Sequence, residues 1–326
     1  MIGGRKPRYD FYELFDAGNV SLDNDDTKEP KPLDPSSARA HANRGNGLFH
    51  VDSSFNPRRA SFSLLRAVQL PPPGTGGNTM FADSRTAAEE LPSDLRVLVG
   101  GETEANNKNG GDEFHGGDER GDEGLIGVHS MAHSRKMGSP AFFVDLDPTR
   151  WPMFRHRILQ RHGPSGRINL YVGAHMHHIE KPSQKENHNS SHNHNDPSSN
   201  DSTEKKTETE EIPDSSALIQ RLNAHATQEK YVVSVQWHQP GDLIIWDNRA
   251  VLHRAGPGTF GGKYIRDLRR TTVHDDSETA WGENVVGSAF PAFFTPPPAA
   301  TSTPTPTPPA AQASVNTAPA TTVIAA

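Results

Sequence analysis

The sequence predicts a mainly β fold with flanking helices, broken by disordered insertions and ended by a disordered tail. Three observations predict it. Strand-like stretches rich in β-branched and aromatic residues outnumber helical ones. Hydrophobic residues are only 33% of the 326, beside 28 Gly and 27 Pro, and mean hydropathy is -0.72; that is too little apolar surface to order every residue. The polar residues are also gathered in blocks, at 102–124, 181–213 and from 291 onward. The expected organisation is one domain over 1–290 carrying two low-complexity insertions, followed by a Pro/Thr/Ala-rich tail over 291–326.

Taken in order, residues 9–15 are aromatic and are expected to pack on the domain, and 23–37 are charged, Pro-rich loop. Residues 61–70 alternate well enough for a strand, 71–78 turn on Pro and Gly, and 79–83 form the next strand. Ser84 is read as the N-cap of a helix that carries Ala87, Ala88 and Leu91 and ends near Pro92. The block at 102–124 is Gly, Asp, Glu and Asn almost throughout, and nothing apolar fixes its carboxylates, so it reads as solvated loop. Residues 167–173 are a strand, followed by His175, His177 and His178. The second block contains His188, His192 and His194 without periodicity and reads as a disordered insertion with at most weak metal affinity. A helix follows with Ser216 as cap and Leu218, Ile219 and Leu222 as its apolar face, then a strand over 231–237. Residues 243–246 are a continuous apolar run, read as a buried strand. Asp247-Asn248-Arg249 has turn chemistry, and Val251 and Leu252 lead to His253 just before a Gly/Pro break. The last strand-like piece is 271–274, and no internal repeat is present.

Bulk properties narrow the function. A net charge of -7 argues against a general nucleic-acid binder, which needs basic patches for the phosphate backbone. No cysteine is present, so disulfides, iron–sulfur clusters and thiolate zinc sites are excluded. No apolar run reaches the length of a membrane span, and the N-terminus has no secretory h-region, so a cytoplasmic protein acting on a small molecule is expected. The oligomeric state is left open, a homo-oligomer included.

One constellation carries chemistry. His50 and Asp52 are separated by a single residue, and on a strand positions i and i+2 share a face. With His253 from a distant strand they make two imidazoles and one carboxylate. Such a set leaves three positions of an octahedral ion open and suits non-heme Fe(II). A bare H-x-D is a weak signal, so the pairing with downstream residues matters more. Arg266 and Arg270 are four apart and share a face if their segment is a strand. A guanidinium grips a carboxylate bidentately, so two of them beside a metal suggest two acids, a co-substrate and a substrate. The competing reading is a solvated basic strand paired with Asp267, Asp275 and Asp276.

These residues resemble the Fe(II)/2-oxoglutarate dioxygenases of the TauD/TfdA type. The resemblance rests on Gly45-Asn-Gly-Leu-Phe-His50-Val-Asp52-Ser-Ser-Phe55, Gly76-Gly-Asn-Thr79-Met-Phe-Ala-Asp83, Trp246-Asp-Asn-Arg-Ala-Val-Leu-His253-Arg and Arg266-Asp-Leu-Arg-Arg270-Thr-Thr-Val. It spans roughly residues 43–275 without the insertions and looks closest to the 2,4-dichlorophenoxyacetate and fungal xanthine-oxidising branch. It implies a double-stranded β-helix, or jelly-roll, with helices packed outside. It implies His50, Asp52 and His253 as ligands of Fe(II), and Thr79 and Arg266 as holding the distal carboxylate of 2-oxoglutarate. Arg270, Asn46 and, more loosely, His175 would line the substrate pocket. The implied reaction uses O₂ and decarboxylates 2-oxoglutarate to succinate and CO₂ while hydroxylating a small anionic substrate, with ascorbate as a stimulant. Family members carry more sequence before the H-x-D than the 49 residues here. A truncated, non-catalytic relative that at most binds metal therefore stands as an alternative, as do a purine oxidiser, a metal-sequestering binding protein and a zinc hydrolase.

Overall fold

A computed structural model describes residues 15–21, 30–100, 124–182 and 209–288. The strands are β1 (Phe15–Asp16), β2 (Ala60–Gln69), β3 (Thr79–Asp83), β4 (Ile126–His129), β5 (Phe154–Arg157), β6 (Leu159–Arg161), β7 (Ile168–Leu170), β8 (Met176–Pro182), β9 (Thr209–Glu211), β10 (Val232–Val235), β11 (Leu243–Asp247), β12 (Val251–Ala255) and β13 (Asp267–His274). The helices are α1 (Ala38–Asn43), α2 (Ser84–Glu89), α3 (Ser93–Gly100), α4 (Met131–Gly138) and α5 (Ser216–Ala226), with a 3-10 turn over Arg44–Gly47.

Two antiparallel sheets position the site. One runs β1-β13-β2-β11 and the other β10-β3-β12. Strands with one apolar face must bury it against another layer. In β2 every second side chain, Ser63, Leu65 and Ala67, is buried, while Phe62, Arg66 and Val68 are exposed. Leu65 and Ala67 meet Phe81 of the second sheet, with Trp237, Trp246 and Leu268, in a core between the sheets. This is the jelly-roll that the resemblance implies. The other face of the second sheet offers Ala82 and Leu252 to a larger core. That core includes Ala87, Ala88 and Leu91, Leu95 and Val99 of α3, and Ile219, Leu222 and Ala226 of α5. A fully buried leucine such as Leu222 stabilises by about 1.5–3 kcal/mol. A third sheet, β5-β4-β8-β9, and the β6-β7 pair complete the described residues.

Several local expectations change. Residues 243–246 are a strand, but not a buried one: Leu243 is 53% and Ile245 56% exposed, while Ile244 and Trp246 turn inward. β11 is an edge strand paired to β2 alone, and a short apolar run does not reveal which face is covered. The cap of α2 is Asp83, whose Oδ1 accepts from the Arg85 and Thr86 amides; Ser84 is the first helical residue and donates to Asn169 instead. Pro92 separates α2 from α3, as expected where a proline constrains the residue before it. The cap position of α5 is Ser215, one residue before the one expected. The strand expected over 167–173 stops at Leu170, and that over 231–237 is confined to β10. Both edges of the second insertion are ordered: Lys181 and Pro182 lie in β8 and pair with β9. The His188–194 tract, most of 102–124, residues 9–14 and the tail over 291–326 lie outside the described residues. Among the described residues no helix is long and apolar enough to cross a membrane.

Candidate metal centre

β12 alternates across the second sheet. Leu252 enters the helix-covered core, and His253 turns to the space between the sheets. There its ring lies 4.6 Å from Trp246 and 6.3 Å from Phe81, its register partner on β3. The segment around His50 extends this sheet by one bridge: the His50 amide donates to the His253 carbonyl at 3.0 Å, and the His253 amide returns the bond at 2.9 Å. Val51 points into the helix-covered core, so His50 and Asp52 emerge on the opposite side. The expected strand is only this single bridge. At Asp52 the chain enters a turn in which Ser53 adopts a positive φ of 58°, a strained choice for a residue with a Cβ that clusters at functional sites. Gly173 lets a neighbouring segment press close, since a Cβ there would lie 2.9 Å from the His50 Cα.

The three side chains converge. His50 Nε2 is 3.8 Å and His253 Nε2 3.5 Å from Asp52 Oδ1, and one ligand atom from each residue lies within 4.8 Å of the others. All three are buried. His50 Nδ1 sits 2.7 Å from the Leu48 carbonyl; only a protonated Nδ1 can use that acceptor, which leaves Nε2 with its lone pair toward Asp52. Burial, then the neighbouring His253, pushes His50 down to about 3, so it is neutral and ready to ligate. Burial opposes the ionised form of Asp52, but Arg270 first and then the two imidazoles outweigh it and hold the carboxyl well below its usual range. Arg270 Nη1 donates to Asp52 Oδ1, the oxygen that faces both imidazoles. The other oxygen accepts from Ser63 Oγ at 2.7 Å. Two imidazoles and a carboxylate fit Fe(II) or Mn(II) in an open octahedral set.

Of the remaining expected residues His175 stands against this centre, and Thr79, Arg266 and Asn46 are held by contacts of their own. Thr79, on the same face of β3 as Phe81, is buried and accepts from Trp237 Nε1 at 3.1 Å. Arg266 is buried, donates through Nε and Nη2 to the Gly77 carbonyl at 3.1 and 2.8 Å, and meets no carboxylate. Burial alone pushes it down to about 10. His175 Nδ1 lies 3.2 Å from Ser54 Oγ, and the His175 ring stands edge-on to His50 at 5.3 Å. Asn46 Oδ1 accepts from Arg135 Nη1 at 3.4 Å. A register irregularity between Asp267 and Leu268 separates the two arginines, sending Arg266 to Gly77 and Arg270 to Asp52.

Sequence reading misses three contributors. Ser63 lies in the inward parity of β2 with Leu65 and Ala67, and a lone hydroxyl on an apolar face is its signal. Asn248, read only as a turn residue, accepts from the Asp52 amide at 3.3 Å and donates to Ser63 Oγ at 2.9 Å. Arg135, on α4, carries no recognisable pattern at all.

Comparison with known proteins gives the same reading. The chain is 30% identical over 281 residues to the alpha-ketoglutarate-dependent 2,4-dichlorophenoxyacetate dioxygenase of Cupriavidus pinatubonensis, covering 85% of this chain and 75% of that protein. It is 25% identical to the alpha-ketoglutarate-dependent sulfate ester dioxygenase of Pseudomonas putida, covering 72% of this chain and 61% of the other. Its fold matches the crystal structure of AAD-2 in complex with Mn(II) and N-oxalylglycine with a TM-score of 0.54 and 28% identity, over 80% of this chain and 69% of that one. The model of the family "Taurine catabolism dioxygenase TauD, TfdA family" matches residues 7–272, so the chain belongs to the TauD/TfdA family and is a 2-oxoglutarate-dependent dioxygenase.

Proposed function

We propose that this dioxygenase uses Fe(II), held by His50, Asp52 and His253, to hydroxylate a small organic anion of the aryloxyalkanoate or sulfate-ester class. The observation that carries the reading is the convergence of the three donor side chains within 4.8 Å of one another. Bound there, Fe(II) would supply the O₂ chemistry that couples decarboxylation of 2-oxoglutarate to oxidation of the substrate.

The chain's own residues do the positioning. Leu48 fixes the tautomer of His50, and Ser63 and Arg270 keep Asp52 ionised and oriented. Arg266, bonded to the Gly77 carbonyl just before β3, is the partner for the distal carboxylate of 2-oxoglutarate, with the Thr79 hydroxyl at the start of that strand as its second contact. An isolated guanidinium is costly to bury, and a dicarboxylic acid completes it. Phe81 and Trp246 wall the His253 side with apolar rings and keep water from it. Arg270, Asn46 and His175 stand on the side left to the primary substrate. The substrate class follows the acids and esters in the relatives' names and the cationic side chains at the centre.

The test is a turnover screen with Fe(II), ascorbate and 2-oxoglutarate against aryloxyacetates and alkyl sulfates, reading succinate. Substrate-stimulated succinate is expected for one class. Arg266→Ala is expected to weaken 2-oxoglutarate by about 2–5 kcal/mol; an unchanged 2-oxoglutarate requirement would remove Arg266 from this role.

A further inference from the structure

We propose that Arg135 is the anion receptor for the primary substrate, its guanidinium taking the carboxylate or sulfate of the molecule being oxidised, beside Arg270. This rests on the dioxygenase reading above and adds to it the group that recognises the substrate's charge.

Four other part-buried arginines are paired with acids of the chain. Arg59 is paired with Asp275, Arg155 with Glu180, Arg157 with Glu283, and Arg249 with Asp247 and Asp275. Each charge is neutralised from within. Arg58 and Arg254 lie over the rings of Trp281 and Phe49 instead. Arg266 and Arg135 are the two guanidinia that burial pushes down to about 10; neither meets a carboxylate among the described residues, and for Arg266 the co-substrate supplies one. Arg135 spends Nη1 on the Ala42 carbonyl at 2.5 Å and on Asn46 Oδ1 at 3.4 Å. Nη2 has only the Met131 thioether, 4.0 Å away, and Nε is shut off from water with no partner. A thioether is a weak acceptor on a flexible side chain, so an oxyanion arriving at that edge displaces it and bonds in the fork geometry that guanidinium favours.

The placement fits a substrate group. α4 packs on the 3-10 turn Arg44–Gly47, which carries Asn46 four residues before His50; a Cβ on Gly45 would lie 3.3 Å from Arg135 Nη1. Arg270 is close enough to Arg135 to add to the burial that disfavours its charge, and Arg135 is close enough to His175 to disfavour that ring's protonation. Arg270 in turn touches the metal-binding carboxylate. Two cations on this side, only one of them with an acid in the chain, leave the charge of one anion unmatched. A carboxylate or sulfate next to the metal centre supplies it and relieves the repulsion between the two guanidinia.

The experiment titrates 2,4-dichlorophenoxyacetate, its uncharged methyl ester and an alkyl sulfate into the full chain by calorimetry, metal-free and again anaerobically with Mn(II) and 2-oxoglutarate. Wild type, Arg135→Gln and Arg135→Lys are compared. The expected result is that at least one anion binds the wild type and that Arg135→Gln weakens it about thirtyfold or more. The ester and 2-oxoglutarate should change less than about threefold, and Arg135→Lys should recover part of the loss by restoring the charge. Arg135 also ties α4 to α1, so an equal loss for anion and ester would show a structural role and overturn the proposal. Unchanged anion binding in Arg135→Gln, or wild type that binds neither anion, would overturn it too. Failure of Mn(II) and 2-oxoglutarate to bind the wild type would sink the dioxygenase reading instead, because the metal-free titration tests Arg135 separately.

Discussion

Two groups of buried histidines share this molecule, and they are built differently. At the metal centre, His50 and His253 lie with ring centroids 4.3 Å apart around Asp52. In a second group His129 and His156, both fully buried, lie 5.9 Å apart, each 5.7 Å from the ring of Tyr171. The first group has a carboxylate that both imidazoles face, a backbone carbonyl that fixes one tautomer, and Ser63 and Asn248 behind the carboxylate. In the second, His156 Nε2 finds the Asn56 carbonyl at 2.9 Å, while both nitrogens of His129, His156 Nδ1 and the Tyr171 hydroxyl, like His253 Nδ1 of the first group, have no hydrogen-bond partner among the described residues. Burial pushes the second pair down in the same direction as His50, His156 to about 4. Desolvation and a lowered pKa are therefore common to both and identify neither as a metal site. What separates them is an ionised carboxylate held in one orientation between two imidazoles.

The largest expected effect breaks the comparison at its root. His253→Ala should abolish Mn(II) and Fe(II) binding and all 2-oxoglutarate decarboxylation. His129→Ala should keep metal binding at wild-type stoichiometry and lose stability only, since it deletes packing rather than a donor. Calorimetric metal titration of both variants decides the matter; loss of metal in His129→Ala would mean that the two groups act as one site.

The next effect is read in acid, on the metal-free protein. His156 is held at about 4 against an ordinary 6.5, mainly by burial, with the Asn56 carbonyl opposing. A histidine depressed in the folded state stabilises above its unfolded pKa, and that stability is lost as pH falls through 6.5 toward 4. By pH 4 the loss should reach about 3 kcal/mol. His156→Gln keeps a donor for Asn56 but does not titrate, so its drop in stability between pH 7 and pH 4 should be smaller than wild type's by about that amount in urea melts. Equal drops would show that His156 is solvated.

The contrast also shows how much the sequence can disclose. His50, Asp52 and His253 were legible because i, i+2 spacing and a strand-end histidine are local facts, and the jelly-roll because strand patterning and a family resemblance agree. Thr79 and Arg266 were named through that resemblance alone, and their part in holding 2-oxoglutarate is a proposal. The second histidine group was not, because His129, His156 and Tyr171 come from separate strands and a loop with no common spacing. Arg135 was hidden for a related reason: whether a guanidinium has an acid partner is a property of the folded neighbourhood. The exposure of Leu243 and Ile245 was misread because an apolar run at a sheet edge looks the same as one in the middle. Ser63 lay between these cases, visible as a polar residue in an inward parity but without a partner to name until Asp52 arrived from 11 positions away.

Ser63 supports the smallest of the expected effects and the one that sharpens the comparison most. If orientation of the carboxylate separates a metal centre from a mere cluster of histidines, loosening that carboxylate should move the first group toward the second. Ser63→Ala removes the 2.7 Å bond to Asp52 Oδ2 and leaves the Asn248 amide only its bond to the Ser61 carbonyl. The ligands themselves are untouched. Metal affinity should fall about 10–100-fold, the range for losing a group that orients a ligand, and Asn248→Ala should fall in the same range because both act through one carboxylate. The double variant should lose less than the sum of the two, since each removes part of a single network. Affinities that add independently, or a Ser63→Ala protein that binds Mn(II) within twofold of wild type, would mean that Arg270 alone orients Asp52 and that a carboxylate's presence, not its fixation, is what distinguishes the two groups.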